Sequence, residues 1–134
     1  MELRDVKVDS RGTIYKYEID SNKFLIVQSE KGTLRAGEVH NVTQYTFLIE
    51  GKVDVITKEG NVNNHHIYTS GTLIQIPVGV PHYFRFIEDS IMVETEEENM
   101  ITEYYPEFRK LVEESMKWQK YFLLEKLGSL DKSC

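Results

Sequence analysis

The sequence predicts an all-β chain, an antiparallel sandwich or barrel, followed by one C-terminal α-helix. Three observations carry this expectation. From Leu3 to about Glu94, β-rich runs alternate with turn residues roughly every eight to twelve positions, the spacing of sandwiches and barrels. The breaks carry turn chemistry: Glu50-Gly51, Glu59-Gly60-Asn61, Asn63-Asn64, Ser70-Gly71 and Val78-Gly79 supply residues that tolerate positive φ or cap a bend. After Tyr105 the pattern changes to a long stretch of good helix formers.

Strands are expected over residues 12–19, 23–28, 33–39, 44–49, 52–57, 67–69, 73–76, 82–87 and 90–94. A helix is expected over 106–127. Pro106 suits its first turn, and Glu107 faces the positive end of the helix dipole. Phe108, Leu111, Val112, Ser115, Met116, Gln119, Phe122 and Leu123 recur at three- and four-residue steps, and Gly128 is expected to close the element. This stripe requires cover, either on the barrel's own outer face or across a subunit boundary, and Trp118 lies at its edge. Residues 1–105 therefore read as the barrel and 106–134 as a helix and tail that complete one domain.

The 134 residues amount to one domain with a sizeable core, and 28% charged residues is ordinary for a globular chain. A net charge of −6 disfavours nucleic acid as a partner. The single cysteine, Cys134, permits no internal disulfide and fits a reducing compartment. Charges interrupt the apolar residues of positions 1–7, and eighteen apolar residues nowhere follow one another, so a cytoplasmic chain without a membrane partner is expected. Asn41-Val42-Thr43 is then a chance match to a glycosylation sequon. The acidic run Glu94-Thr95-Glu96-Glu97-Glu98 reads as a solvated connection, and His65 and His66 as solvated turn residues. A Ser/His/Asp hydrolase, a phosphate-cradling glycine loop and a zinc ribbon find no support.

The most informative segment runs from Gly71 to His82, with Pro77 and Gly79 building a tight corner before the next strand. From His82, alternation puts Phe84 and Phe86 on the histidine's face and Tyr83 and Arg85 on the other. The spacing glycine, five residues, proline, one residue, glycine, two residues, histidine resembles the second motif of the cupin superfamily, with Phe86 where that family often has asparagine. The first motif is matched in spacing but not in identity. Gly32 and Gly51 fall on its glycines, Glu38 and His40 on its two histidines, and Gln44 on its glutamate.

The resemblance implies an antiparallel cupin jelly-roll barrel with a pocket inside it. It nominates Glu38, His40, Gln44 and His82 as ligands of a divalent metal such as Fe, Mn, Ni or Zn. The family's three histidines and one glutamate carry one negative charge, and so do two histidines, Glu38 and neutral Gln44; the carboxylate has moved to another vertex. His40 and His82 are also the candidates for catalysis, and Arg35, Phe84 and Phe86 for binding a small-molecule substrate.

Asp9-Ser10-Arg11-Gly12 and Leu34-Arg35-Ala36-Gly37 are similar to strand-opening segments of the deoxysugar 3,5-epimerases and 3,4-ketoisomerases. That resemblance implies metal-free proton transfer by a histidine and a tyrosine beside a sugar ketone, with arginine on the diphosphate. Tyr15 or Tyr17 would have to serve, and Arg35 shares a face with Glu38 only if Gly37 hosts a bulge. A ligand-binding module without chemistry is the third expectation. Tyr45, Phe47 and Ile49 leave the outer face of their strand apolar, which predicts a homodimer.

Overall fold

Alternation along the strands sorts their side chains into an inner and an outer set, and two sheets close over the inner one. The structure, a computed structural model, describes residues 2–132, with side chains as far as Gln119. The strands are β1 (Glu2–Asp9), β2 (Gly12–Ile19), β3 (Asn22–Ser29), β4 (Leu34–His40), β5 (Gln44–Glu50), β6 (Lys52–Glu59), β7 (Val62–Thr69), β8 (Thr72–Ile76), β9 (His82–Phe86), β10 (Ser90–Thr95) and β11 (Thr102–Tyr104), followed by the helix α1 (Pro106–Lys132). One sheet has the order β1-β2-β3-β10-β5-β8 and the other β11-β4-β9-β6-β7, with antiparallel neighbours throughout.

The inner face changes character along its length. At one end Val27, Leu48, Val53, Val55, Ile74, Ile76, Phe84, Phe86 and Met92, drawn from both sheets, form a single buried cluster. Two residues further along the same strand faces the side chains become polar: Leu48 gives way to Thr46 and Gln44, Phe84 to His82, Met92 to Glu94. The apolar end supplies the burial that drives folding. The polar end gathers the inward-facing histidines, carboxylates and amide.

Between Ala36 and Glu38 the β4–β9 ladder slips by one residue, and both Ala36 and Gly37 have positive φ. This bulge turns Arg35 and Glu38 to the same inner face, opposite Phe84 and His82. Gly37 also lets the helix approach, since a Cβ there would lie 2.7 Å from Arg109 Cα. Phe108 and Val112 are fully buried against the outer face of the five-stranded sheet, where the Phe108 ring meets Tyr83 edge-on at 4.9 Å. The stripe is thus covered in cis over its first turns, while Leu111 and Trp118 stay exposed.

Several expectations are corrected. β1 and β11 were not anticipated: β1 is a charge-rich, exposed edge strand with β2 as its single neighbour, which erases the apolar alternation. β7 starts at Val62, so Asn63, Asn64, His65 and His66 lie in a strand, not a turn. His65 Nδ1 donates to the buried Asp54 carboxylate at 2.8 Å, beside Arg85 at 3.2 Å. Glu94 belongs to β10 and faces the interior. The helix continues through Gly128. The side chains of Phe122 and Leu123 lie outside the described residues, as does Cys134. Among the described residues, no helix is long and apolar enough to cross a membrane.

Candidate metal centre

Cross-strand pairing of Glu38 with His82 sets a carboxylate beside an imidazole, and His40 follows on the same face of β4. The His40 and His82 rings are 5.1 Å apart. One ligating atom from each of Glu38, His40 and His82 lies within 4.8 Å of the others. His82 is completely buried and donates its Nδ1–H to the Val80 carbonyl at 3.0 Å, which leaves the Nε2 lone pair facing inward. Gln44 Oε1 lies 3.1 Å from that nitrogen, while the same amide donates to Thr46 Oγ1 at 2.9 Å and Glu94 Oε1 at 3.4 Å. Two lone-pair atoms thus face each other. His40 presents a buried Nε2 without a hydrogen-bond partner, 3.4 Å from Glu38 Oε1, and its Nδ1 is held by Thr102 Oγ1 at 2.9 Å.

Two neutral imidazole nitrogens, a carboxylate and an amide oxygen suit a borderline divalent cation, which would relieve the crowding of acceptors. The residues present therefore fit a metal. The Thr102 contact fixes the His40 ring, the usual task of an outer partner to a ligating histidine.

Burial shapes the protonation of the set. It would lower His40, but the neighbouring Glu38 carboxylate and Gln44 raise it overall. Burial, reinforced by the charge on His40, holds His82 down to about 4 despite its bond to Val80. The Glu38 carboxyl stays below its ordinary value: burial opposes this, and His40 and His82 outweigh it. In metal-free protein the pair should accept protons in two well-separated steps. Between pH 6.5 and about 4 an unfolded chain protonates His82 and the folded one does not, so this residue destabilises the fold as pH falls through that window. His40 acts oppositely: its contribution is complete below pH 6.5 and is lost as pH rises through its raised folded value. Imidazole NMR titration checks this, and two rings titrating together near 6.5 would refute the assigned environments.

The cluster opens into a cavity of about 800 Å³, lined at depth by Glu38, His40, Gln44 and Glu94 and at the mouth by Lys23, Thr95, Glu97 and Glu98 among others. Glu94 is the residue that sequence reasoning missed. Its carboxyl is enclosed, and burial, with Glu38 as the second cause, pushes it up to about 7. Alternation from Met92 was the signal that could have found it. The expected substrate contacts do not converge here. Phe84 and Phe86 stack on each other in the buried core and do not line the cavity. Arg35 does face the interior, but its guanidinium is held by Ser29 Oγ at 2.7 Å and the Gln28 carbonyl at 3.2 Å. Tyr15 and Tyr17 stack with one another and with Phe24, and among the described residues no tyrosine or arginine lines the cavity.

Two antiparallel sheets folded as a jelly roll around an inward-facing histidine and carboxylate cluster define the cupin class of fold. The solved structures similar to this chain are of that class. The structure of Bacillus subtilis oxalate decarboxylase at pH 4.6 is 16% identical over 75% of this chain and 29% of its own, with a TM-score of 0.61. An arginine-to-alanine mutant of the same enzyme gives 17% identity over 75% and 30%, with a TM-score of 0.63. A third, from work on the Mn(II) centres of that enzyme, gives 14% over 71% and 28%, with a TM-score of 0.60. This chain thus spans under a third of the length of those it matches. No protein-family model and no curated protein matches the sequence.

Proposed function

We propose that this chain holds one divalent transition-metal ion through His40, His82 and Glu38, with Gln44 as a neutral fourth donor, and binds or acts on a small oxygen-bearing molecule in the cavity. The observation that carries the reading is the buried group of inward-facing acceptors: the His82 Nε2 lone pair 3.1 Å from Gln44 Oε1, next to the unpartnered His40 Nε2. A bound ion would supply Lewis-acid or redox chemistry. The protein's own part is to orient the ligand and to hold it away from bulk water, with Glu94 offering an oxygen to a donor group of the bound molecule. The metal-free sugar-nucleotide reading lacks a converging tyrosine and arginine among the described residues.

Untagged protein incubated with Fe(II), Mn(II), Ni(II) or Zn(II) and desalted should retain a metal approaching one per chain. Retention should fall as pH drops and the histidines protonate. No retained metal with any of the four overturns the reading and leaves acid–base chemistry by His40 and His82 as the alternative.

We also propose that the chain works as a homodimer. Tyr45, Phe47, Ile49 and Leu73 are 42–52% exposed on the outer face of the six-stranded sheet, where the described residues of the helix do not cover them. Light scattering over a tenfold dilution should give twice the chain mass; the monomer mass at every concentration refutes it.

A further inference from the structure

We infer that the cavity selects a small amine-bearing molecule with an oxygen donor and rejects dicarboxylates of the oxalate type. The inference rests on the metal-site reading above and names the ligand class for that site. Five carboxylates, Glu38, Glu94, Glu96, Glu97 and Glu98, line the cavity against a single cation, Lys23. Arg4, from outside the lining, neutralises Glu96 through a 2.7 Å ion pair. The guanidinium of Arg35 donates to Ser29 and the Gln28 carbonyl, and Arg35 does not line the cavity.

A divalent ion would bring two positive charges, but Glu38 stands beside them at depth, and Glu97 and Glu98 remain exposed at the mouth. Like-charged walls lower the local concentration of anions and raise that of cations. A second sign of a ligand is His40, which lines the same cavity and whose buried Nε2 makes no hydrogen bond, its neighbour Glu38 Oε1 lying 3.4 Å away. The set therefore offers an ion for an oxygen donor, and Glu94, 3.4 Å from the Gln44 amide nitrogen, as an acceptor for an ammonium. A dicarboxylate would satisfy the ion but bring its second charge against Glu38 and the acidic mouth.

The test compares three two-carbon probes that share a hydroxyl oxygen and differ in charge: ethanolamine, ethylene glycol and glycolate, with oxalate as the dianion. Calorimetry on the Mn(II)-loaded chain at low salt should rank ethanolamine first, with glycolate and oxalate at least about tenfold weaker. That ratio should shrink as salt screens the mouth. The double charge reversal Glu97→Lys with Glu98→Lys alters only exposed residues of one loop, and it should narrow or invert the ratio. Manganese content is read on every sample. If Mn(II) loads and oxalate or glycolate matches or beats ethanolamine, or ethanolamine does not bind, the inference falls while the metal reading stands. If Mn(II) does not load, the same ranking is measured with Fe(II), Ni(II) or Zn(II), and if none of the four loads, the metal reading falls and the inference that rests on it falls with it.

Discussion

His40→Ala is expected to cut divalent-metal affinity by at least about 100-fold, more than the loss of an outer partner of a metal ligand usually costs. The reason is geometric: His40 contributes a buried imidazole nitrogen that makes no hydrogen bond, and its removal leaves Glu38, His82 and a weak amide donor. Thr102→Val provides the graded comparison. It deletes the 2.9 Å contact to His40 Nδ1 without touching the ligating nitrogen, and should cost about 10- to 100-fold. Metal content after desalting, with a thermal melt to verify folding, measures both. Full occupancy in folded His40→Ala protein would place any metal elsewhere.

Phe84→Ala should cost about 3–5 kcal/mol and lower Tm by roughly 10–20 °C, since the ring is 1% exposed and stacks on Phe86 in the middle of the core. His82→Ala, on the same strand face, should lower Tm far less while abolishing metal retention. Its imidazole has few apolar duties: it hydrogen-bonds Val80, faces Gln44 and lies edge-on to Phe84 at 6.0 Å. Melting curves of the two variants decide the matter. If His82→Ala unfolds the chain and Phe84→Ala barely shifts it, the histidine is a structural hydrogen-bonding group and the centre is wrongly placed.

Much of this was legible in the sequence. The runs 12–19 and 44–49 fall on β2 and β5 almost to the residue, because period-two alternation and turn residues are local properties of the chain. The edge strand β1 was not legible: neither of its faces is buried enough to impose an apolar pattern. The His65 segment was misread for a related reason, since a half-exposed edge strand tolerates the same Asn and His residues that a turn prefers.

The sequence by itself determined the cupin spacing and the inward orientation of His82, and through that spacing it nominated Glu38, His40 and Gln44. The orientation of His82 follows from alternation along one strand, and the nomination of the others from the resemblance of the spacing to the cupin motifs. Only the tertiary structure decided that Glu94 joins them, that Arg35 turns inward at the Gly37 bulge yet is spent on Ser29, and that Phe84 and Phe86 are core instead of pocket wall. These outcomes depend on which strand lies opposite which and at what depth. A bulge reverses parity by one residue, and the depth of a side chain is set by the closure of the two sheets, which no interval within a single strand encodes.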